Sequence, residues 1–361
     1  PSPVPCHDDE VDETHAAEVA CWLADPDHEL RMDVGTGLVL ESIVTVAKRT
    51  RTHAVQEYLQ GLEWDGIRRC RRLFPAYFTS ADDAYHQECG LVLLVGAVAR
   101  AISPGCKVDH MAVLEGEQGL GKSRAVRALF GPHWYVDTQE SPATKDFYLT
   151  IQGRWGVEIA ELASFGRAEL TAVKRSITVQ EDVYRAPYER IPKAHPRGCV
   201  FIGTTNESTY LRDHTGARRF LPIRCGPIET EELVADRDQL WAEAGAWYRG
   251  DHPDADGPYL YWRLPPGAEE QQEDRYQADS WEEPILEYLE GRGSGVAMPH
   301  ETVTMTEVLE SALGIKDLSR HTRQDQMRAG MVLRRLGWER VRVRRDSGER
   351  AYVYRRPEAR K

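Results

Sequence analysis

Apolar residues in the first ninety positions recur at mixed three- and four-residue intervals, the pattern of helices with one buried face. Residues 54–62 and 84–102 carry it with few breakers, and Trp64-Asp65-Gly66 marks a turn between them. From residue 108 to 225 the pattern changes. Short, continuously apolar runs at 111–114, 155–159 and 199–205 alternate with helical stretches, which predicts buried strands in an α/β layer. Residues 250–276 are rich in Pro, Gly, Asp, Glu and Gln and read as an exposed linker or loop. Residues 291–300 read as a second flexible stretch.

Residues 301–357 read as a small separate module. Thr304 and Glu307 form a capping-box pattern ahead of a helix carrying Val308, Leu309, Ala312 and Leu313. A second helix is expected from about Arg323 to Leu336, with Met327, Met331, Val332 and Leu336 facing inward and Gly337 ending it. Val341 and Val343 then alternate with Arg340, Arg342 and Arg344. Asp346-Ser347-Gly348 turns the chain, and Tyr352 and Tyr354 return. Helices followed by a basic hairpin suggest a winged-helix-like domain.

A chain of 361 residues has room for two or three domains. With 41% hydrophobic and 29% charged residues it reads as globular rather than disordered. The longest apolar run, around 91–99, is too short to span a bilayer. Residues 1–30 hold nine acids and no Lys or Arg, where a secretion signal is basic and apolar. A cytoplasmic location with no membrane partner is therefore expected. Seven scattered cysteines without C-x2-C spacing suit reduced thiols better than a zinc site. The net charge of −12 argues at first against nucleic acid. Residues 320–361, however, carry fourteen Lys and Arg against five acids, so this end can meet phosphate, or is a solvated charged face.

The most specific signal is Gly116-Glu117-Gln118-Gly119-Leu120-Gly121-Lys122-Ser123, which fits G-x-x-x-x-G-K-[ST] between an apolar strand and a helix. Such a loop wraps its N–H groups around the β- and γ-phosphates of a nucleotide. Lys122 adds a cation and the Ser123 hydroxyl holds Mg2+. Two acids follow on the next apolar segment. Glu161 is expected to orient the attacking water and Glu158 to serve on the metal side. They are three residues apart, so a continuous strand would point them to opposite faces. Either the strand ends between them or only one belongs to the site. Asn206, at the tip of the third run, can bond the γ-phosphate or the water. Arg218 and Arg219 suit bidentate contact with phosphate, including that of a neighbouring subunit.

These motifs, with WDG (64–66), PGCKVDHMAVLEGEQGLGKS (104–123), WGVEIAEL (155–162), FIGTTN (201–206), DHTGARRF (213–220) and RDQLWAEA (237–244), resemble the virulence-associated protein E family. That family is grouped with the superfamily 3 helicases, AAA+ P-loop ATPases of phages, plasmids and integrated mobile elements. The resemblance spans roughly residues 50–290. It implies an α/β fold: a P-loop AAA+/RecA-like parallel sheet core at 104–290 behind an N-terminal helical domain at 1–103; the winged-helix-like domain at 301–357 lies beyond the resemblance and is expected from the residue pattern alone. The resemblance implies ATP- and Mg2+-dependent translocation on single-stranded DNA by a homo-oligomeric, commonly hexameric, ring. Glu158 and Glu161 then match Walker B, Asn206 the sensor, and Arg218 or Arg219 the arginine finger. Segment 173–190 falls where this class carries a hairpin reaching into the ring channel. Lys174, Tyr184, Arg185, Tyr188 and Arg190 suit it chemically, since cations track phosphates and rings stack on bases. Duplex DNA is a further partner through the C-terminal module. Priming would fall to a separate domain or protein. The alternative is a nucleotide-switched loader, or a regulatory or defence ATPase, that does not unwind DNA.

Overall fold

The computed structural model describes residues 13–27, 30–49, 53–185, 191–211, 214–276, 279–291, 299–317, 321–344 and 350–356. The described residues up to Gly61 form one compact unit, and those from Leu62 onward form a second. The first holds helices α1 (Glu13–Ala24), α2 (Thr36–Arg49) and α3 (Ala54–Gln60). Ala16, Ala20 and Val39 are its small buried core, with Leu23, Val34 and Ile43 packed around them.

The second unit opens with short helical turns at Cys70–Arg72 and Leu73–Tyr77, then α4 (Ala84–Ile102), capped by Asp83 accepting from the His86 N–H. Helix α4 is apolar nearly all round, and such a helix must be buried on every side. Here it is, from Gly90 to Ala101. Strand β1 (Met111–Glu115), α5 (Lys122–Phe130), β2 (Tyr135–Thr138), α6 (Lys145–Thr150) and β3 (Gly156–Ile159) follow. Next come α7 (Arg167–Thr178), β4 (Glu181–Tyr184), β5 (Lys193–Pro196), β6 (Val200–Thr205), β7 (Phe220–Arg224) and α8 (Thr230–Arg249). Five strands form one parallel sheet in the order β2-β3-β6-β1-β7. Strands β1, β3 and β6 are buried at every position, because helices cover both faces of a parallel sheet. That is why these three strands read as continuous apolar runs. Helix α4, grouped by sequence with the N-terminal helices, packs against α8 in the same unit as the sheet. None of the helices among the described residues is long and apolar enough to cross a membrane.

Helix α5 is fixed to the sheet by aromatic packing. A Cβ on Gly156 would sit 2.3 Å from the Phe130 ring, so only glycine lets the helix approach β3 there. Phe130, Trp155 and Trp241 form one cluster, and the Trp241 indole donates to the Leu129 carbonyl at 3.0 Å. Strands β4 and β5 form a separate antiparallel hairpin. Its base is held by buried Arg197, which pairs with Asp182 (Nε–Oδ2 2.9 Å) and donates to Ser176.

The segment 250–276 is not the exposed linker expected from its composition. Tyr261, Ala268 and Gln272 are buried, and α9 (Ala268–Asp274) lies on the sheet, with Gln272 donating to the Phe220 carbonyl at 2.8 Å. Beyond it lie α10 (Glu282–Leu289), β8 (Thr302–Val303), α11 (Met305–Glu307) running into a turn at Val308–Ala312, α12 (Arg323–Arg335), β9 (Glu339–Arg344) and β10 (Arg350–Arg355). Three of these form an antiparallel sheet in the order β8-β10-β9. The Thr304–Glu307 capping box is present. A core of Ile285, Leu289, Val308, Leu309, Leu333 and Trp338 joins α10 to this region. The inward face of α12 is Ala329, Val332 and Leu333, whereas Met327 (61% exposed) and Met331 point outward, contrary to expectation. The methionines lie on the next face round, which an apolar count along the helix cannot tell from the buried one.

Candidate active site

The loop between β1 and α5 turns through Gly119 (φ 90°) and Gly121 (φ 87°), conformations that side chains disfavour. The turn brings the N-terminus of α5, with its free N–H groups and positive dipole end, to the carboxyl edge of the sheet. Lys122 folds back over the loop. Its Nζ donates to the carbonyls of Gly116 (2.6 Å) and Glu117 (2.9 Å) and to Asn206 Oδ1 (3.0 Å). Burial lowers its pKa, with Glu158 pulling the other way. The tips of β1 and β6 are neighbours in register, which is why Asn206 reaches the lysine.

Glu158 lies on β3, fully buried. Its Oε1 accepts from Ser123 Oγ (2.6 Å) and Thr204 Oγ1 (2.7 Å), and its Oε2 from the Tyr135 hydroxyl (2.5 Å). Hydroxyls from α5, β6 and β2 thus fix one carboxylate against the serine of the phosphate loop. Glu161 is placed differently. Strand β3 ends at Ile159, and Glu161 follows with a left-handed backbone (φ 52°) and an exposed side chain. Its carboxylate makes no hydrogen bond to any described residue. The spacing conflict between the two acids is resolved by the strand ending between them.

A cleft of about 840 Å3 opens beside Gly116 and Glu117, bounded by Asp83 and His86 at the head of α4 and by Arg224, Gln271 and Arg275. Glu115, the last residue of β1, is buried at its edge. It accepts from the Tyr210 hydroxyl (2.9 Å) and, with both oxygens, from Arg275 Nε (3.1 Å). Burial raises its pKa, and Arg275 restrains the rise. Arg275 also donates to the Gln271 side chain at 2.7 Å. Sequence reading missed Tyr135, Thr204, Glu115 and Arg275. Glu115 had a signal, since it stands at the strand end next to the loop, but Arg275 lay in a stretch read as linker.

Arg218 and Arg219 end the turn His214–Arg219, Arg218 exposed and Arg219 half-buried. In the sheet register Phe220 pairs with Met111 and Arg224 with Glu115. The two arginines therefore sit at the amino edge of the sheet, roughly 15 Å of strand from the phosphate loop of the same chain. Of the expected hairpin residues, Lys174 is not on the hairpin. It is buried on α7, 5.9 Å from the centre of the Phe220 ring, because the helix continues to Thr178 before the hairpin starts. Tyr184 is on β4 but turned inward, stacked between Tyr148 and His195. Arg185 is exposed just past β4, and Tyr188 and Arg190 lie outside the described residues.

A model of the virulence-associated protein E-like domain matches residues 59–280. The chain belongs to that family. The matched part of this virulence-associated protein E-like chain includes the phosphate loop, both acids, Asn206 and both arginines. Among solved structures it is similar to the apo structure of the NrS-1 C-terminal region (305–718), with 15% identity and a TM-score of 0.50, covering 82% of this chain and 77% of that one. An A-form apo structure of the same region shows 12% identity and a TM-score of 0.49 over 82% of this chain and 78% of that one. No curated protein matches. At 15% identity the likeness to the first of these is one of fold alone.

Proposed function

We propose that the chain is an ATP-hydrolysing motor that moves along single-stranded DNA as a homo-oligomeric ring, in the replication of a mobile genetic element. The observation that carries the reading is the convergence of Lys122, Ser123, Glu158 and Asn206 on one glycine-turned loop at a helix N-terminus. The oxygens of Ser123 and Glu158, 2.6 Å apart, are a hard donor pair that suits magnesium beside substrate phosphates. Bound Mg2+ would supply Lewis-acid charge at the β- and γ-phosphate oxygens.

The chain's own residues do the rest. Lys122 exchanges its loop carbonyls for phosphate oxygens. The N–H groups at the start of α5 hold the phosphates against the helix dipole. Asn206 donates from Nδ2 to the γ-phosphate, or its Oδ1, released by the lysine, accepts from the attacking water. Glu161, exposed past the end of β3, is assigned to that water. Arg218 and Arg219 lie too far along the sheet to serve their own loop, so they are assigned to the nucleotide of a neighbouring copy. A finger offered in this way speeds hydrolysis by about 10³–10⁵.

The test is ATP hydrolysis with and without single-stranded DNA, with Lys122→Ala as control. Stimulation by the strand, abolished in the variant, supports the motor. Robust hydrolysis indifferent to DNA supports a nucleotide-switched loader or regulatory ATPase. One observation favours that second reading: Lys174 and Tyr184, two of the five residues expected to line a DNA channel, pack inward.

A further inference from the structure

Helix α12 carries arginines with two different fates. Arg328 pairs with Asp279 at 2.6 Å, and Arg335 with Glu273 at 3.0 Å and Glu282 at 3.4 Å. These ion pairs tie one side of the helix to the rest of the molecule. Arg323 and Arg334 lie on another face, both exposed and without an ion pair among the described residues. Between them stand the outward-facing Met327 and Met331. Across a groove of about 450 Å3 stand Arg340 and Tyr352 of the β9–β10 hairpin, with Tyr354 seated against Gly330 as its floor. Among the described residues the lining contains three arginines and no acid. The Tyr352 ring is 53% exposed and carries the Arg340 guanidinium 4.1 Å from its centre.

We infer that this groove is a second seat for single-stranded DNA, in which unstacked bases lie on Tyr352 and the methionines while Arg323, Arg334 and Arg340 hold the flanking phosphates. The inference deepens the motor reading and rests on it for the choice of partner; the site itself needs no nucleotide. The mixture of surfaces selects the occupant. Phosphates alone would be met by a flat or convex basic face. A concave, partly apolar groove with an exposed ring rewards bases that can leave the stack, which single strands offer and duplexes withhold. The ring already bears a planar cation, and a base adds a further layer to that stack. Asp279, Glu273 and Glu282 are engaged by Arg328 and Arg335 on the other side of α12.

The experiment uses the full chain without nucleotide. Binding of a fluorescein-labelled oligo(dT) and of a duplex of equal length is followed by anisotropy between 50 and 200 mM salt. The single strand should bind more tightly. Its log affinity should fall with log salt at about −0.7 per phosphate contact, and Arg334→Ala should flatten the slope by one such step. Tyr352→Ala should weaken binding about tenfold or more at unchanged slope, and should abolish the quenching of a 2-aminopurine placed in the strand. Both side chains are exposed, so neither substitution removes core packing. Wild-type affinity in both variants overturns the inference, as does preference for the duplex or tighter capture of an acidic amphipathic peptide. Loss of strand binding in the variants of a chain that hydrolyses no ATP leaves this site standing and removes the motor reading alone.

Discussion

At the scale of single residues, the proposed function gives Glu158 and Glu161 separable roles that substitution can distinguish. Glu158→Gln should raise the magnesium concentration needed for hydrolysis, because it weakens the donor beside Ser123. Glu161→Gln should leave nucleotide binding intact and lower kcat at least 100-fold, on the scale of a lost general base. Steady-state kinetics across a magnesium titration checks both. Glu115 makes a pH prediction. Its folded pKa is raised by burial, so the folded state holds the proton more tightly than the unfolded state. Its stabilising contribution is complete below the ordinary carboxylate pKa and is lost as pH rises through the raised value. The stability difference between wild type and Glu115→Gln, read from urea unfolding at successive pH values, should shift against the wild type over that window. Arg275→Met leaves the Glu115 carboxylate buried without its cation and should cost about 3–5 kcal/mol, the scale for a broken buried pair. Adding Glu115→Gln to that variant should recover part of the loss.

At the scale of elements, what could be read from the chain depended on how fully an element is buried. Helix α4 and strands β1, β3 and β6 are enclosed on all sides, and their uniform apolar runs announced them. Strand β2 lies at the sheet edge and is only partly buried, and β7 contains Pro222 and ends on exposed Arg224, so neither carried a comparable run. The glycine turn at 116–121 was legible because its conformation is set locally. The Glu115–Arg275 contact was not, since it joins residues 160 apart and one of them lies in a Pro- and Gly-rich stretch. Lys174 was misplaced because closeness in sequence to a hairpin says nothing of which element a residue belongs to. The junction of α5 and β3 gives a prediction at this scale. Gly156→Ala puts a methyl into the Phe130 ring, so α5 must move away from the sheet. Overpacking of this kind costs about 1–3 kcal/mol. The variant should melt earlier and bind ATP less tightly, and calorimetry with nucleotide titration measures the two effects separately.

At the scale of the whole molecule, the phosphate loop and the paired arginines occupy opposite edges of one sheet. Under the ring reading each chain gives its loop to one neighbour's arginines and its own arginines to the other neighbour's loop. Complementation follows as an expected outcome. Lys122→Ala chains and Arg218→Ala/Arg219→Ala chains should each be inactive alone. Mixed, they should recover a fraction of wild-type hydrolysis, because some junctions pair an intact loop with intact arginines. A mixture that stays inactive while gel filtration shows joint assembly would remove the trans assignment. The same sheet acts as a ruler. Strand β7 is hydrogen-bonded to β1 over five residue pairs from Phe220 to Arg224, so the arginines are held at a set distance from the loop. A slip of one residue would carry them about 3.3 Å along the strand and turn each side chain to the opposite face. Under the ring reading, the reach from one chain's loop to the arginines it offers its neighbour is thus written into backbone hydrogen bonds, and flexible side chains adjust it only at the ends.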